Sequence, residues 1–351
     1  MKKFFLVRLF IVIFFTLSTF MLNGCASSQN DGNINNDMSK INIDSEKIEV
    51  DENEIFNTIK EISFKGREFG TDGEKYASNI LKSKLESYGY NVQFQDFEVF
   101  EINGDAREYI HTDDIDTFFN INPTNSTNLK GVARNIVVKS KYFDKNKKTL
   151  YLFSHYDCTS STTGVYDNAT GVSAVTEIAR NLSNYKNDEL NIVYVFFSSE
   201  EYFKSGSRYY LSQLDEFEKK NIIGAINIDM IGYKGFEYEG LNTIGDIEII
   251  LEPGTTNNHL ESIFNNQVNN KYNVNNEMGG MSDDISFYRL DIPTIYFADK
   301  NFITGAEIES ESTDIQLKPL NIKAISVLCE DIIKFVNSLS INEFGELDSR
   351  V

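Results

Sequence analysis

Five short apolar runs constrain this chain most: Asn135–Val138, Thr149–Ser154, Asn191–Phe197, Ile222–Ile228 and Thr294–Phe297. Each has the length and near-continuous apolarity of a strand buried on both faces. Helical stretches lie between several of them. Ala169–Leu182 carries Val172, Val175, Ile178, Ala179 and Leu182 at helical spacing. Pro319–Leu339 places Ile325, Leu328, Ile332, Phe335, Val336 and Leu339 on one face. Upstream, Gly73–Gly89 reads as an amphipathic helix stopped by glycine, and Val92 to Val99 as a strand. Buried strands alternating with helices predict an α/β domain with a largely parallel central sheet, whose ligand sites lie where strands end in loops. Glu101–Lys130 is polar and weakly patterned, and reads as a connection or small insertion.

The chemistry-bearing residues sit at those strand ends. The second run ends in His155-Tyr156-Asp157, and the turn before the following helix carries Asp167-Asn168-Ala169-Thr170-Gly171. The third ends in Glu200-Glu201 and the fourth in Asp229-Met230-Ile231-Gly232. Taken singly, each has an ordinary explanation: Asp167-Asn168 could cap a helix, and paired glutamates are usually a solvated corner. Taken together, carboxylates at adjacent strand ends would repel one another unless cations lay between them. One imidazole with several carboxylates suits zinc or a similar divalent ion. The formal net charge of −20 makes nucleic acid an improbable partner, because such a surface repels phosphates.

The ordered set His-x-Asp, Asp-Asn-Ala-[Ser/Thr]-Gly, Glu-Glu and Asn-x-Asp-Met-x-Gly resembles the M28 metallopeptidases, aminopeptidases with two co-catalytic zinc ions. Arg67-Glu68-Phe69-Gly70-Thr71 near the start extends the resemblance, as do Ser282-Asp283, Phe287 and Asp291-Ile292-Pro293 downstream. It runs over roughly Glu54 to Leu339. It implies a three-layer αβα sandwich around a mostly parallel mixed central sheet. His155 and Asp229 would bind one Zn²⁺, Glu201 the other, and Asp167 would bridge them. Asp157 would orient the imidazole, and Glu200 would be the general base for hydrolysis of a peptide substrate. In such sites metals about 3.5–4 Å apart polarise the carbonyl and acidify a water whose proton the base accepts. The family also often has a cis peptide after its bridging Asp, here Asp167–Asn168.

The pattern departs in two places. The family supplies a second histidine from a segment like Ile-His-Thr-x-x-Asp-Thr. The matching stretch here is Ile308-Glu309-Ser310-Glu311-Ser312-Thr313-Asp314, and the chain has only three histidines, at 111, 155 and 259. Counting forward puts Glu309 at the ligand position; counting back puts Ser310 there, with Glu311 beside it. Glu309 is the expected substitute, a change that favours a harder ion such as Mn²⁺; the alternative is a second site that is weak or vacant. Asp284 also stands where histidine is usual in Ser-Asp-His. His111 and His259 read as surface residues and Cys158 as a packing residue. Two further readings stand beside this one: a non-catalytic binding module, motivated by the missing histidine, and a single-metal acyltransferase like the related glutaminyl cyclases.

At the N-terminus, Lys2, Lys3 and Arg8 precede an apolar run from Leu9 to Leu22, a secretory signal too short to span a bilayer comfortably. Leu22-Asn23-Gly24-Cys25 resembles the bacterial lipobox, which implies cleavage after residue 24 and lipidation of Cys25, holding the protein to the extracytoplasmic face of the membrane. Residues 25–51 are expected to form a flexible polar stalk, 52–341 the peptidase-like domain and 342–351 a tail. Cys158 and Cys329 do not suggest a disulfide framework.

Overall fold

Where burial alternates along a strand the sheet has a wet face, and where it is continuous both faces are covered. The computed structural model describes residues 48–340 apart from 104–106, 235–236, 239–240, 243–245, 256–257, 278, 280–281, 301 and 303–319. Its strands are β1 (Asn91–Phe100), β2 (Leu129–Lys139), β3 (Lys148–His155), β4 (Leu190–Phe197), β5 (Ile222–Ile228), β6 (Glu237–Tyr238), β7 (Leu241–Asn242), β8 (Ile247–Ile250), β9 (Val274–Asn275) and β10 (Thr294–Asp299). Its helices are α1 (Glu52–Ile62), α2 (Asp72–Ser87), α3 (Arg107–Ile110), α4 (Ile115–Phe119), α5 (Thr170–Asn181), α6 (Ser205–Ser212), α7 (Glu216–Asn221), α8 (His259–Gln267), α9 (Asp284–Tyr288) and α10 (Ile322–Ser338). Eight strands form one sheet in the order β1-β2-β4-β3-β5-β10-β8-β9, and β6 and β7 pair separately.

The four central strands β4, β3, β5 and β10 run parallel, and every residue of each is buried apart from half-buried Lys148 at the start of β3. The flanking strands β1, β2 and β8 join antiparallel. Helices cover both faces. On one, Ile59, Leu81, Val175 and Leu328 of α1, α2, α5 and α10 pack with Ile136, Leu152, Tyr194 and Ile226 of the sheet. On the other, Leu211 of α6 and Phe287 of α9 pack with Phe153, Val195 and Phe197. This is the expected αβα sandwich around a mixed, mostly parallel sheet.

One local expectation needs correction. The stalk does not run free to residue 51: Ile48 and Val50 pack on the core, and the N–H groups of Glu49 and Asp51 donate to Asn181 and Glu177 of α5 at 3.0 and 2.8 Å. The isoleucine and valine explain why, since they offer apolar surface that a solvated stalk would waste. The stretch 101–130, read as a connection or small insertion, carries short helices of its own, α3 and α4. It buries Phe118 completely beneath Arg208, which donates to the carbonyls of Phe118 and Asn120.

Candidate metal centre

Parallel pairing brings the candidate residues to one edge. His155 ends β3 in register with Phe197, the last residue of β4, so the Glu200–Glu201 turn emerges beside it. Asp229 follows β5 on the other side of β3, its N–H bonded to Phe297 of β10 at 3.0 Å. Asp167 comes from the turn into α5, and Gly171 makes that approach possible. A Cβ there would lie 2.1 Å from the Ile228 carbonyl oxygen, which no side chain tolerates. Asn168 closes the contact: its side-chain oxygen accepts from Gly171 and Met230, and its amide donates to Ile228. The Asp167–Asn168 peptide is cis, as the resemblance implied.

The side chains converge. Nε2 of His155 lies 3.0 Å from Asp167 Oδ1 and 3.3 Å from Asp229 Oδ1, while Nδ1 lies 3.4 Å from Asp157 Oδ1. One ring nitrogen thus faces the two proposed ligands and the other faces the proposed orienting carboxylate. His155, Asp167 and Asp229 can place ligand atoms within 4.8 Å of one another, and so can His155, Glu200 and Glu201. Asp157 is fully buried and also accepts from the N–H groups of Glu200 and Glu201, at 3.2 and 3.3 Å. One carboxylate therefore fixes both the imidazole and the glutamate turn.

The electrostatics ask for positive charge. Burial would lower the His155 pKa, yet the carboxylates of Asp229 and Glu200 and the bonds to Asp157 and Asp167 raise it well above the ordinary value. Burial, followed by the fields of Asp167 and Glu200, pushes the Glu201 carboxyl well above the carboxylate range. Burial likewise raises Asp283 and Asp284. Oε1 of Glu201 is buried with no hydrogen-bond partner among the described residues. A nitrogen and several carboxylate oxygens, closely spaced and incompletely satisfied, fit a divalent cation.

Several supporting residues had weak or no sequence signal. The Ser282 hydroxyl donates to Asp229 Oδ2 at 2.7 Å and receives from Asn227 at 2.8 Å, giving Ser282-Asp283 and Asn-x-Asp a physical role. Glu74, in α2, accepts from Gly70, Arg134, Ser198 and Tyr156, tying α2 to the ends of β3 and β4. Burial pushes its carboxyl up to about 7, against the opposing hydrogen bonds from Ser198 and Gly70. The buried Arg67 guanidinium donates to the carbonyls of Tyr156, Thr163 and Gly164, holding the loop between His155 and Asp167. Lys204 Nζ lies 3.0 Å from Glu200 Oε1. Burial would lower the pKa of that ammonium, but Glu200 and then Asp283 hold it above the usual lysine value. Nothing in the position of a lone lysine in sequence announces such a contact.

Among the other expectations, His111 and His259 are exposed, and His259 opens α8. Cys158 is buried and accepts from the Arg67 N–H at 3.1 Å. Phe287 stacks on Phe153 at 4.7 Å in the core. Glu309, Ser310, Glu311 and Cys25 lie outside the described residues.

The model of peptidase family M28 matches residues 135–314. Aminopeptidase YwaD of Bacillus subtilis (strain 168) is 33% identical over 101 residues, 28% of this chain and 22% of that protein, so the match spans about a fifth of the relative's length. The solved aminopeptidase from Aneurinibacillus sp. strain AM-1 superposes with a TM-score of 0.63 at 18% identity, over 82% of this chain and 93% of that one. Porphyromonas gingivalis glutaminyl cyclase superposes at 0.59 and 18% identity, over 82% and 98%, so the fold by itself does not separate hydrolysis from cyclisation. The family match covers more than half of the chain and includes His155, Asp157, Asp167, Glu200, Glu201 and Asp229; the chain belongs to peptidase family M28.

Proposed function

We propose that the chain is a metal-dependent aminopeptidase that hydrolyses peptides from a free amino end, with Glu200 as general base. The observation carrying this reading is the convergence of Asp167 and Asp229 on one His155 nitrogen, with Glu200 beside them. His155, Asp229 and Asp167 would hold one divalent ion, and Glu201, with Asp167, a second; Glu309 remains the candidate for the last ligand. Zn²⁺, or Mn²⁺ given the oxygen-rich set, supplies Lewis acidity toward a carbonyl and toward water when bound.

The chain's own groups supply the rest. Asp157 keeps the imidazole turned toward the ligand carboxylates, and Ser282 does the same for Asp229. Glu200 is buried, its Oε1 held by Lys204, which leaves Oε2 to take a proton from the attacking water and pass it to the leaving amine. Such a transfer contributes about 10²–10⁴-fold. Aminopeptidases among both the sequence relatives and the solved structures support the choice of the amino end.

In Zn²⁺ or Mn²⁺ the protein is expected to cleave aminoacyl-p-nitroanilides, and Glu200→Gln to lower turnover by about 10²–10⁴-fold with metal content unchanged. An unaffected rate would remove Glu200 from its role. Cyclisation of a peptide beginning with Gln, without hydrolysis, would favour the acyltransferase reading, to which the single imidazole in the centre lends support. We also infer, from the lipobox-like Leu22–Cys25, that the mature protein is held to the membrane by lipid on Cys25. Cys25→Ser should shift it from the detergent phase to the aqueous phase.

A further inference from the structure

The two ligand groups of the centre differ in what neutralises them. The group of His155, Asp167 and Asp229 has an imidazole aimed between two carboxylates. The Glu200–Glu201 side has an ammonium already in place. Lys204 Nζ is 3.0 Å from Glu200, its side chain only 18% exposed, and the carboxylates of Asp283 and Glu201 add to the field around it. Its placement is firmly built. The Lys204 N–H closes on the Glu200 carbonyl at 2.9 Å, and the turn passes through left-handed φ at Phe203 and Lys204, 63° and 53°, conformations that persist only where the surroundings enforce them.

The imidazole count points the same way. The chain has three histidines. His111 is exposed in a polar segment, and His259 sits on α8, whose cap Asn258 bonds to Thr294 at the start of β10, the end of the sheet remote from the ligands. Among the described residues that could hold a metal together, His155 is the histidine grouped with Glu201, and a neighbouring fixed positive charge opposes a divalent ion there.

We propose that Lys204 is a tethered cation in the Glu201 half of the centre, so that the His155–Asp167–Asp229 position binds a divalent ion tightly and the Glu201 position binds a second one weakly. This rests on the metal-centre reading above and deepens it: Lys204 is a positioning residue that sets how many ions the centre retains.

The test is a Zn²⁺ titration of the purified full chain by calorimetry, repeated with Co²⁺ and followed by its visible spectrum. The wild type is expected to bind one equivalent tightly and a second at least tenfold more weakly. Lys204→Met should tighten the second by tenfold or more and move the first less than threefold, while Lys204→Arg, which keeps the charge, should retain the wild-type profile. If Lys204→Met does not fold, Lys204→Gln carries the same expectation. Two equally tight ions in the wild type, or a second affinity unmoved by loss of the lysine charge, would overturn the proposal and leave the metal centre standing. No binding of either ion would remove the metal-centre reading and this inference with it.

Discussion

His155 and Asp229 stand at the ends of adjacent strands, β3 and β5, buried over nearly their whole length, whereas Glu200 and Glu201 stand on a turn with left-handed residues at Ser199, Phe203 and Lys204. The first pair is placed by sheet register and by the close approach at Gly171. The second is placed by hydrogen bonds. Asn135 accepts from Ser198 and donates to Gly206, and Asp157 receives both glutamate N–H groups. Ligands at strand ends inherit the rigidity of the sheet, while ligands on a turn need a dedicated set of buried polar braces. Glu74 spans the two regions, since Ser198 and Tyr156 both donate to it.

Breaking that brace should give the largest effect. The folded-state carboxyl of Glu74 is pushed up to about 7 by burial, above its ordinary value of 4.5. The fold therefore binds its proton where the unfolded chain has lost it, so this contribution to stability is full below pH 4.5 and falls as pH rises through 7. The span corresponds to roughly 3 kcal/mol. Urea unfolding of Glu74→Gln across pH 4–8 should lack that fall; a slope equal to the wild type's would mean that Glu74 is not its source.

A smaller effect is expected at Asp157, which serves both regions at once. Asp157→Asn keeps the shape but loses the charge toward His155 and one acceptor for the glutamate turn, and should weaken zinc binding about 10–100-fold. Competition with a chromogenic chelator would measure it. Unchanged affinity would mean that His155 is oriented by the strand alone.

The smallest effect sharpens the contrast in backbone strain. Ser199 is fully buried at φ 60°, and its hydroxyl has no partner among the described residues. Ser199→Gly should stabilise the fold by about 1 kcal/mol, because glycine adopts that φ freely and the unpaired hydroxyl is gone. Thermal unfolding that moves to lower temperature would show that the turn is not strained there.

The same contrast explains what was legible in the amino-acid sequence. Continuous apolar runs followed by charge mark β3, β4 and β5, and the ordered motifs name His155, Asp157, Asp167, Glu200, Glu201 and Asp229, all of which the structure brings to one edge of the sheet. The bracing was not legible. Glu74 lies 60 residues from Arg134 and 124 from Ser198, and a glutamate on an amphipathic helix reads as solvated until tertiary packing buries it. Lys204 reads as an ordinary surface lysine for the same reason. The penultimate strand β8 and the edge strand β9, four and two residues long, are too short to carry a periodic signal. Ile48 and Val50 were hidden by the polar composition around them.

The claim that these side chains form a metal centre is tested most directly by elemental analysis of protein equilibrated with Zn²⁺ and dialysed against metal-free buffer. The wild type should retain at least one equivalent per chain and Asp229→Ala none. A wild type that emerges metal-free, or an Asp229→Ala variant that keeps as much zinc as the wild type, would contradict it.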